Sequence, residues 1–180
     1  MESLRGSLLI AGGQLLDPNF RRSVVLMAEH GDEGAMGVIL NRPAGVPVAE
    51  VAAPLADFVE PATTIYLGGP VQRDAVLVLA DYNESAVPER PILGSVAFAE
   101  PDPNPLILAE IRQARVFSGY AGWGPGQLEA ELEESAWIIE PARTEDVFTP
   151  EPERLWASVL RRKGGDYQLL SLMPYDVATN

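Results

Sequence analysis

The sequence predicts an α+β domain built on a mostly antiparallel sheet that is flanked by helices. Short runs rich in valine, isoleucine and leucine recur through the first half of the 180 residues. A glycine-flanked turn joins two of these runs, and helix-start signals concentrate in the second half. Strands followed by helices, without a regular βαβ repeat, are typical of α+β folds. A chain of this length fits one domain, residues 1–180.

The apolar runs of the first half are predicted to be strands, because glycine, proline or aspartate bounds each of them. The segment His30-Gly31-Asp32-Glu33-Gly34 separates the second run from the third and supplies glycines for positive φ, which is typical of a hairpin. The five runs are Ser7 to Ile10, Ser23 to Ala28, Met36 to Leu40, Thr63 to Leu67 and Ala75 to Ala80.

Two segments between these strands are predicted differently. Val48 to Phe58 is expected to hold one short helix that breaks near Pro54, because proline cannot continue a helix from its interior. Tyr82 to Pro91 is expected to be an exposed loop.

The second half carries three helix-start signals. Asn104-Pro105 offers a cap and a proline at the first helical position, and Ile107, Leu108 and Ile111 would form its apolar stripe. Gly124-Pro125 is expected to open a second helix, whose Leu128 and Leu132 stack one turn apart.

The third helix is expected to begin at Thr149-Pro150 and to end at Gly164-Gly165. Its predicted apolar face is Leu155, Trp156, Val159 and Leu160. Arg115 to Tyr120 and Trp137 to Ile139 are predicted to be strands, and Tyr167 to Asn180 a short packed tail.

The charge balance excludes several classes of function. The chain has 13 basic and 26 acidic residues, a net charge of −13, which repels phosphate backbones, so direct nucleic-acid binding is not expected. The absence of cysteine excludes disulfides, thiolate metal sites and a cysteine nucleophile. The N-terminus lacks signal-peptide character and no run is long enough to span a bilayer, so a cytoplasmic protein without membrane contact is predicted.

Motifs for cofactors and metals are missing. Neither GxxxxGK[ST] nor GxGxxG is present, and no cofactor is predicted. His30 is the only histidine and is interpreted as a satisfied turn residue in preference to a general base. The glutamates at 129, 131, 133 and 134 are interpreted as a solvated helix face, so no metal site is predicted.

Three segments that follow strands are the candidate ligand site, because strand ends build clefts. Arg42 is the most specific candidate, because its guanidinium suits a carboxylate or phosphate. An internal ion pair between Arg42 and an acid such as Glu131 is an equally weighted alternative. The candidate residues are Asn41, Arg42, Gly68, Gly69, Tyr120, Trp123, Gln127 and Glu131.

Five stretches carry a family resemblance. GSLLIAGGQLLDPNFRRSVVLMAEH, GAMGVILNRP, YLGGPV, GYAGWGPGQLEAEL and AWII occur in this order and resemble the AlgH/YqgE family of bacterial proteins of uncharacterised function. The resemblance covers nearly the whole chain and implies a single domain whose bent sheet resembles an incomplete barrel. The family has been linked to control of alginate production and is labelled a transcriptional regulator. It offers no established catalytic residues to transfer.

Three functions follow as hypotheses. The first is a non-enzymatic binding or regulatory protein that holds a small anionic ligand or a partner's peptide in the candidate cleft. The second is a hydrolase acting on a small anionic substrate near Arg42, with His30 or Glu131 as base. The third is an acidic surface that binds a basic protein partner.

Overall fold

A computed structural model describes residues 2–58 and 64–174 of the chain. Strands within these residues are β1 (Ser7–Ala11), β2 (Val24–Gly31), β3 (Gly34–Ile39), β4 (Pro43–Pro47), β5 (Thr64–Leu67), β6 (Val71–Tyr82), β7 (Val96–Ala99), β8 (Ile111–Trp123) and β9 (Trp137–Pro141). Helices are α1 (Val48–Val51), α2 (Pro105–Leu108), α3 (Gln127–Glu133), α4 (Thr144–Val147), α5 (Pro152–Lys163) and α6 (Tyr167–Leu170), with 3₁₀ turns at Ala53–Phe58 and Glu84–Ala86.

The strands form one sheet that is bent and not closed, which confirms the predicted fold class. The main path of the sheet runs β4-β5-β8-β3-β2-β1-β9, and β6 pairs with both β7 and β8. β5 and β8 pair in parallel, whereas the other pairings in the described part of the chain are antiparallel. The predicted hairpin joins β2 to β3, with Gly31 opposite Gly34.

Both faces of the β1–β2 layer are buried, which explains why these strands read as continuous apolar runs. Leu8 and Ile10 of β1 point into the core that the apolar face of α5 covers. Leu9 and Ala11 point to the opposite face, toward Leu128 of α3. The predicted apolar face of α5 is confirmed, since all four of its residues are buried there.

β8 joins the two parts of the sheet, because it pairs with β3 in one part and with β5 and β6 in the other. Up to Tyr120 this strand pairs with β6, and from Ala121 it pairs with β3. Gly119 lies at a shift in the register between β8 and β6 and has a φ of 70°, a left-handed value that favours glycine. The stretch Gly119 to Trp123 is therefore strand, where the sequence predicted the end of one.

Two further sequence predictions are wrong, and strand pairing is the physical reason for both. Asn104 does cap α2, accepting hydrogen bonds from the backbone N–H groups of Leu106 and Ile107, but the helix is only one turn long. Ile111, assigned to its stripe, begins β8 and pairs with Tyr82. Tyr82, assigned to a loop, is accordingly the buried last residue of β6.

Other boundaries differ by a few residues. The helix predicted over Val48 to Phe58 breaks at Ala52, and α5 begins at Pro152 rather than at Thr149-Pro150. The sequence did not predict β4, β7 or α4. Thr63 of the fourth predicted strand and residues 175–180 of the predicted tail lie outside the described residues.

Candidate functional site: an arginine-flanked pair of cavities

The loop between β1 and β2 carries the adjacent arginines 21 and 22 to the surface. Asp17 shapes the loop as a turn: its side chain accepts a hydrogen bond from Asn19 N, and its carbonyl accepts from Phe20 N and Arg21 N. Phe20 anchors the loop, because its ring packs edge-on against Trp137 at 5.5 Å between centroids. The turn therefore fixes where the next two residues, both arginines, leave the loop.

Asn41 and Arg42, two of the predicted site residues, follow β3 and hold this loop in place. Asn41 Oδ1 accepts from Val24 N at 3.0 Å, and Asn41 Nδ2 donates to Arg22 O at 2.9 Å. Arg42 donates to the carbonyls of Pro18 and Arg21, at 3.0 and 2.7 Å. Asn41 and Arg42 thus stabilise the arginine-bearing loop through its backbone.

A first cavity, of about 290 Å³, lies beside these residues and is called here the arginine cavity. Its lining consists of Arg21, Arg22, Asn41, Arg42, Pro43, Glu153, Trp156 and Ala157. Among its described lining residues, three arginines and one glutamate carry charge, so this lining is cationic in a chain whose net charge is −13.

A second cavity, of about 330 Å³, adjoins the first and is called the apolar cavity. It is lined by Gly12, Gly13, Leu15, Leu16, Arg21, Arg22, Trp156, Met173 and Pro174. The two cavities share Arg21, Arg22 and Trp156, which form the boundary between them.

Arg22 is held in an unusual conformation at this boundary. Its φ of 56° is left-handed, which is uncommon and unfavourable for a residue with a side chain. Its guanidinium stacks over the Trp156 ring at 4.3 Å and donates to Met173 O at 2.8 Å. Trp156 in turn donates from Nε1 to Ala11 O at 2.9 Å. These contacts fix the boundary in one geometry.

A further arginine is buried near the arginine cavity. Arg115 of β8 is 6% exposed and lies over the Tyr66 ring at 4.5 Å. Its Nη2 donates to Thr149 O at 3.2 Å, while Nε and Nη1 have no hydrogen-bond partner among the described residues. Burial lowers the pKa of Arg115, with Tyr66 opposing the shift.

The Tyr66 hydroxyl interacts electrostatically with Arg115 and with Glu153. Burial raises the pKa of the Tyr66 hydroxyl, the charge of Arg115 lowers it, and the charge of Glu153 raises it further. Glu153 also lines the arginine cavity.

Close packing of the backbone explains why glycine occupies both predicted glycine positions of the site, Gly68 and Gly69. A Cβ on Gly68 or Gly69 would collide with the backbone of Gly119 or Tyr120, because the end of β5 crosses β8 there. Gly69 also lines a smaller cavity of about 100 Å³ together with Arg42 and Arg73. The glycines therefore allow two backbones to approach closely.

The remaining predicted residues lie in other surroundings. Glu131 Oε2 accepts from the indole N–H groups of Trp123 and Trp137 at 2.9 and 2.8 Å, and Gln127 donates to Glu131 Oε1 at 2.9 Å. Tyr120 packs against the core on the α5 side of the sheet. Arg42 thus shares one cavity with Asn41 and another with Gly69. Trp123, Gln127 and Glu131 lie in a separate aromatic cluster.

His30 has partners on both ring nitrogens. Nδ1 accepts from Leu4 N at 3.0 Å, and Nε2 lies 3.0 Å from Glu129 Oε1. Because Nδ1 accepts, the ring donates from Nε2 to the carboxylate. The pKa of Glu129 is lowered, most strongly by a hydrogen bond from the backbone N–H of Glu129 itself and next by the hydrogen bond from the His30 side chain.

Within residues 2–58 and 64–174, no three His, Asp or Glu side chains come together in a way that would hold a metal ion. Over the same residues, no helix has the length and apolar character needed to cross a bilayer.

Comparison with known proteins decides the family. The model of the AlgH-like family (DUF179) matches residues 8–168. The chain belongs to the AlgH-like family. A UPF0301 protein of Streptomyces coelicolor is 42% identical to this AlgH-like chain over 187 residues, covering 100% of this chain and 97% of that protein. A UPF0301 protein of Thermobifida fusca is 41% identical over 196 residues, covering 99% and 96%.

Solved structures share the fold of this AlgH-like chain. The crystal structure of protein DIP2367 from Corynebacterium diphtheriae superposes with a TM-score of 0.83 at 28% identity, covering 93% of this chain and 91% of that one. The solution structure of AlgH from Pseudomonas aeruginosa gives a TM-score of 0.68 at 32% identity, covering 98% and 97%. The resemblance inferred from the sequence is therefore confirmed.

Sequence reasoning missed most of the residues that line the two cavities, among them Arg21, Arg22, Glu153 and Trp156. The pair Arg21-Arg22 was visible as one of the densest basic spots in an acidic chain, and it directly follows the turn residues at 17–19. Trp156 was assigned only to the apolar face of α5, since nothing in the local pattern separates a core tryptophan from one at a cavity wall.

Proposed function

We propose that this chain is a non-catalytic binding protein that holds a small anionic ligand in the arginine cavity. The observation that carries the proposal is the convergence of Arg21, Arg22 and Arg42 on one cavity in a strongly acidic protein. Guanidinium groups bind carboxylates and phosphates through paired, charge-assisted hydrogen bonds. A regulatory role in the cytoplasm is part of the proposal, with ligand occupancy as the signal.

The shape of the site supports a binding role. Asn41 and Arg42 fix the loop through its backbone, and Arg22 is stacked on Trp156, so little ordering is needed when a ligand enters. The cavity volume of about 290 Å³ suits a small molecule.

The alternative is a hydrolase acting on an anionic substrate in the same cavity. Its two predicted bases are engaged elsewhere: His30 with Leu4 and Glu129, and Glu131 with two indole groups. A binding function requires neither residue to change its partners, and for that reason we favour it.

The proposal is tested by measuring Tm in sodium phosphate and in sodium chloride at the same ionic strength. A ligand that binds only the folded state raises Tm with concentration. We expect this rise in the wild type and about ten-fold weaker apparent affinity for phosphate in Arg21→Gln, which loses one charge-assisted contact. Arg21 is chosen because Arg42 also holds the loop.

Arg90→Gln is the matched control, since it removes the same charge at an exposed position beside Glu29. It should behave as the wild type. Equal phosphate effects in all three proteins, or none in the wild type, would overturn the proposal. Hydrolysis of p-nitrophenyl phosphate that disappears in Arg21→Gln would instead support the hydrolase.

A further inference from the structure

The apolar cavity adjoins the arginine cavity and offers apolar side chains that an inorganic anion would not contact. Its wall includes Leu15, Leu16 and Met173, while Gly12 and Gly13 contribute no side chain. Leu16 is 69% exposed and Met173 is 37% exposed, so apolar surface remains in contact with water around this cavity. Exposed apolar surface that lines a cavity is a common mark of a ligand site.

Gly13 lines the apolar cavity close to Leu170 and Met173. A Cβ at this position would lie 2.9 Å from Leu170 Cδ1 and 3.3 Å from Met173 Sδ. The loop backbone therefore packs directly on α6 and the residues after it. A larger residue here would require the side chain of Leu170 or Met173 to shift.

Arg22 joins the two cavities. Asn41 holds its backbone, and its guanidinium lies between Trp156 and the carbonyl of Met173. Arg21 lines both cavities as well. Cationic groups at one end and apolar side chains at the other are complementary to a molecule with an anionic head and an apolar chain.

We propose that the ligand is an amphiphilic anion, an unbranched alkyl chain that ends in a carboxylate. Its head binds at Arg21 and Arg22, and its chain lies along Leu15, Leu16 and Met173. This inference rests on the proposed function, because the head uses the arginine cavity. It goes further in assigning the adjoining cavity to the ligand's chain.

Isothermal titration calorimetry with acetate, hexanoate and decanoate, below the concentration of micelle formation, tests the inference. Burial of a methylene group strengthens binding by up to about four-fold. We expect affinity to rise two- to four-fold per methylene, an order-of-magnitude range for partial to full burial. Decyltrimethylammonium, with the same chain and a cationic head, should bind much more weakly.

Leu16→Ser is the informative variant, because Leu16 is exposed and its loss should leave the fold intact. It should flatten the dependence on chain length while phosphate binding stays unchanged. Leu106→Ser is the matched control, a leucine that is 83% exposed on α2, and it should keep the wild-type dependence.

The outcomes separate this inference from the proposed function. Phosphate binding without dependence on chain length overturns the inference and leaves the proposed function standing. Equal binding of the cationic amphiphile also overturns it, because the arginines would then not select the head. Absence of binding by phosphate and by every carboxylate overturns both proposals.

Discussion

At the scale of single residues, Gly119 shows how a motif can arise from backbone geometry alone. Its φ is 70°, and a Cβ there would lie 2.6 Å from Gly69 O and 2.9 Å from Val71 O. The conformation and the close approach both exclude a side chain. The glycines of YLGGPV and GYAGWG therefore lie where two segments of the chain cross in close contact.

We expect Gly119→Ala to destabilise the protein by more than about 2 kcal/mol, from left-handed strain plus the collision with two carbonyls. Gly126→Ala is the matched control, because Gly126 has nearly the same φ, 73°, and open space around its Cβ position. It should lose only the strain, about 1 kcal/mol. Urea unfolding measures both, and equal losses would show that the collision contributes nothing.

At the scale of elements, β6 and β8 are joined by a buried carboxylate. Asp81 of β6 accepts hydrogen bonds from Ser95, Arg112 and Gln113. Burial alone would raise the pKa of Asp81, but these hydrogen bonds and the charge of Arg112 outweigh it and hold the pKa below its ordinary value. The ionised form is thus favoured by folding.

This shift predicts a loss of stability in acid. Because the folded pKa is depressed, the contribution of Asp81 is present above the unfolded pKa of about 3.9 and is lost as pH falls through the lower folded pKa. We expect the unfolding free energy of the wild type to fall more steeply below about pH 4 than that of Asp81→Asn. Asp74→Asn, an exposed position on the same strand, should keep the wild-type slope. Parallel profiles for all three proteins would refute the link.

The elements also show which local signals are reliable. The hairpin turn and the apolar face of α5 follow from patterns within a few residues, and both were predicted correctly. The conformation of Ile111 was predicted wrongly, because it is determined by pairing with Tyr82, which lies 29 positions earlier in the chain. Tertiary pairing outweighs a weak helical pattern at such positions.

At the scale of the whole molecule, the charge distribution bears on the regulatory label of the family. The net charge is −13, and the arginines of the candidate site line cavities rather than a broad surface. Sequence-independent DNA binding depends on many Lys and Arg contacts to phosphates.

We therefore expect no binding of a labelled duplex by fluorescence anisotropy at about 50 mM salt, where such contacts are strong. The measurement uses the wild type with and without phosphate. A titratable anisotropy increase that weakens steeply with added salt would contradict the expectation and favour direct DNA contact.

Sequence alone determined the fold class, the positions of the first three strands, the hairpin and the membership of the AlgH-like family. These depend on hydrophobic period, turn chemistry and ordered motifs, which are local properties of the chain. Tertiary structure alone decided that Arg22 lies against Trp156 and Met173, and that Arg42 holds the loop of Pro18. Such contacts join residues far apart in sequence, and their positions follow from the order and bend of the sheet, which no local pattern encodes.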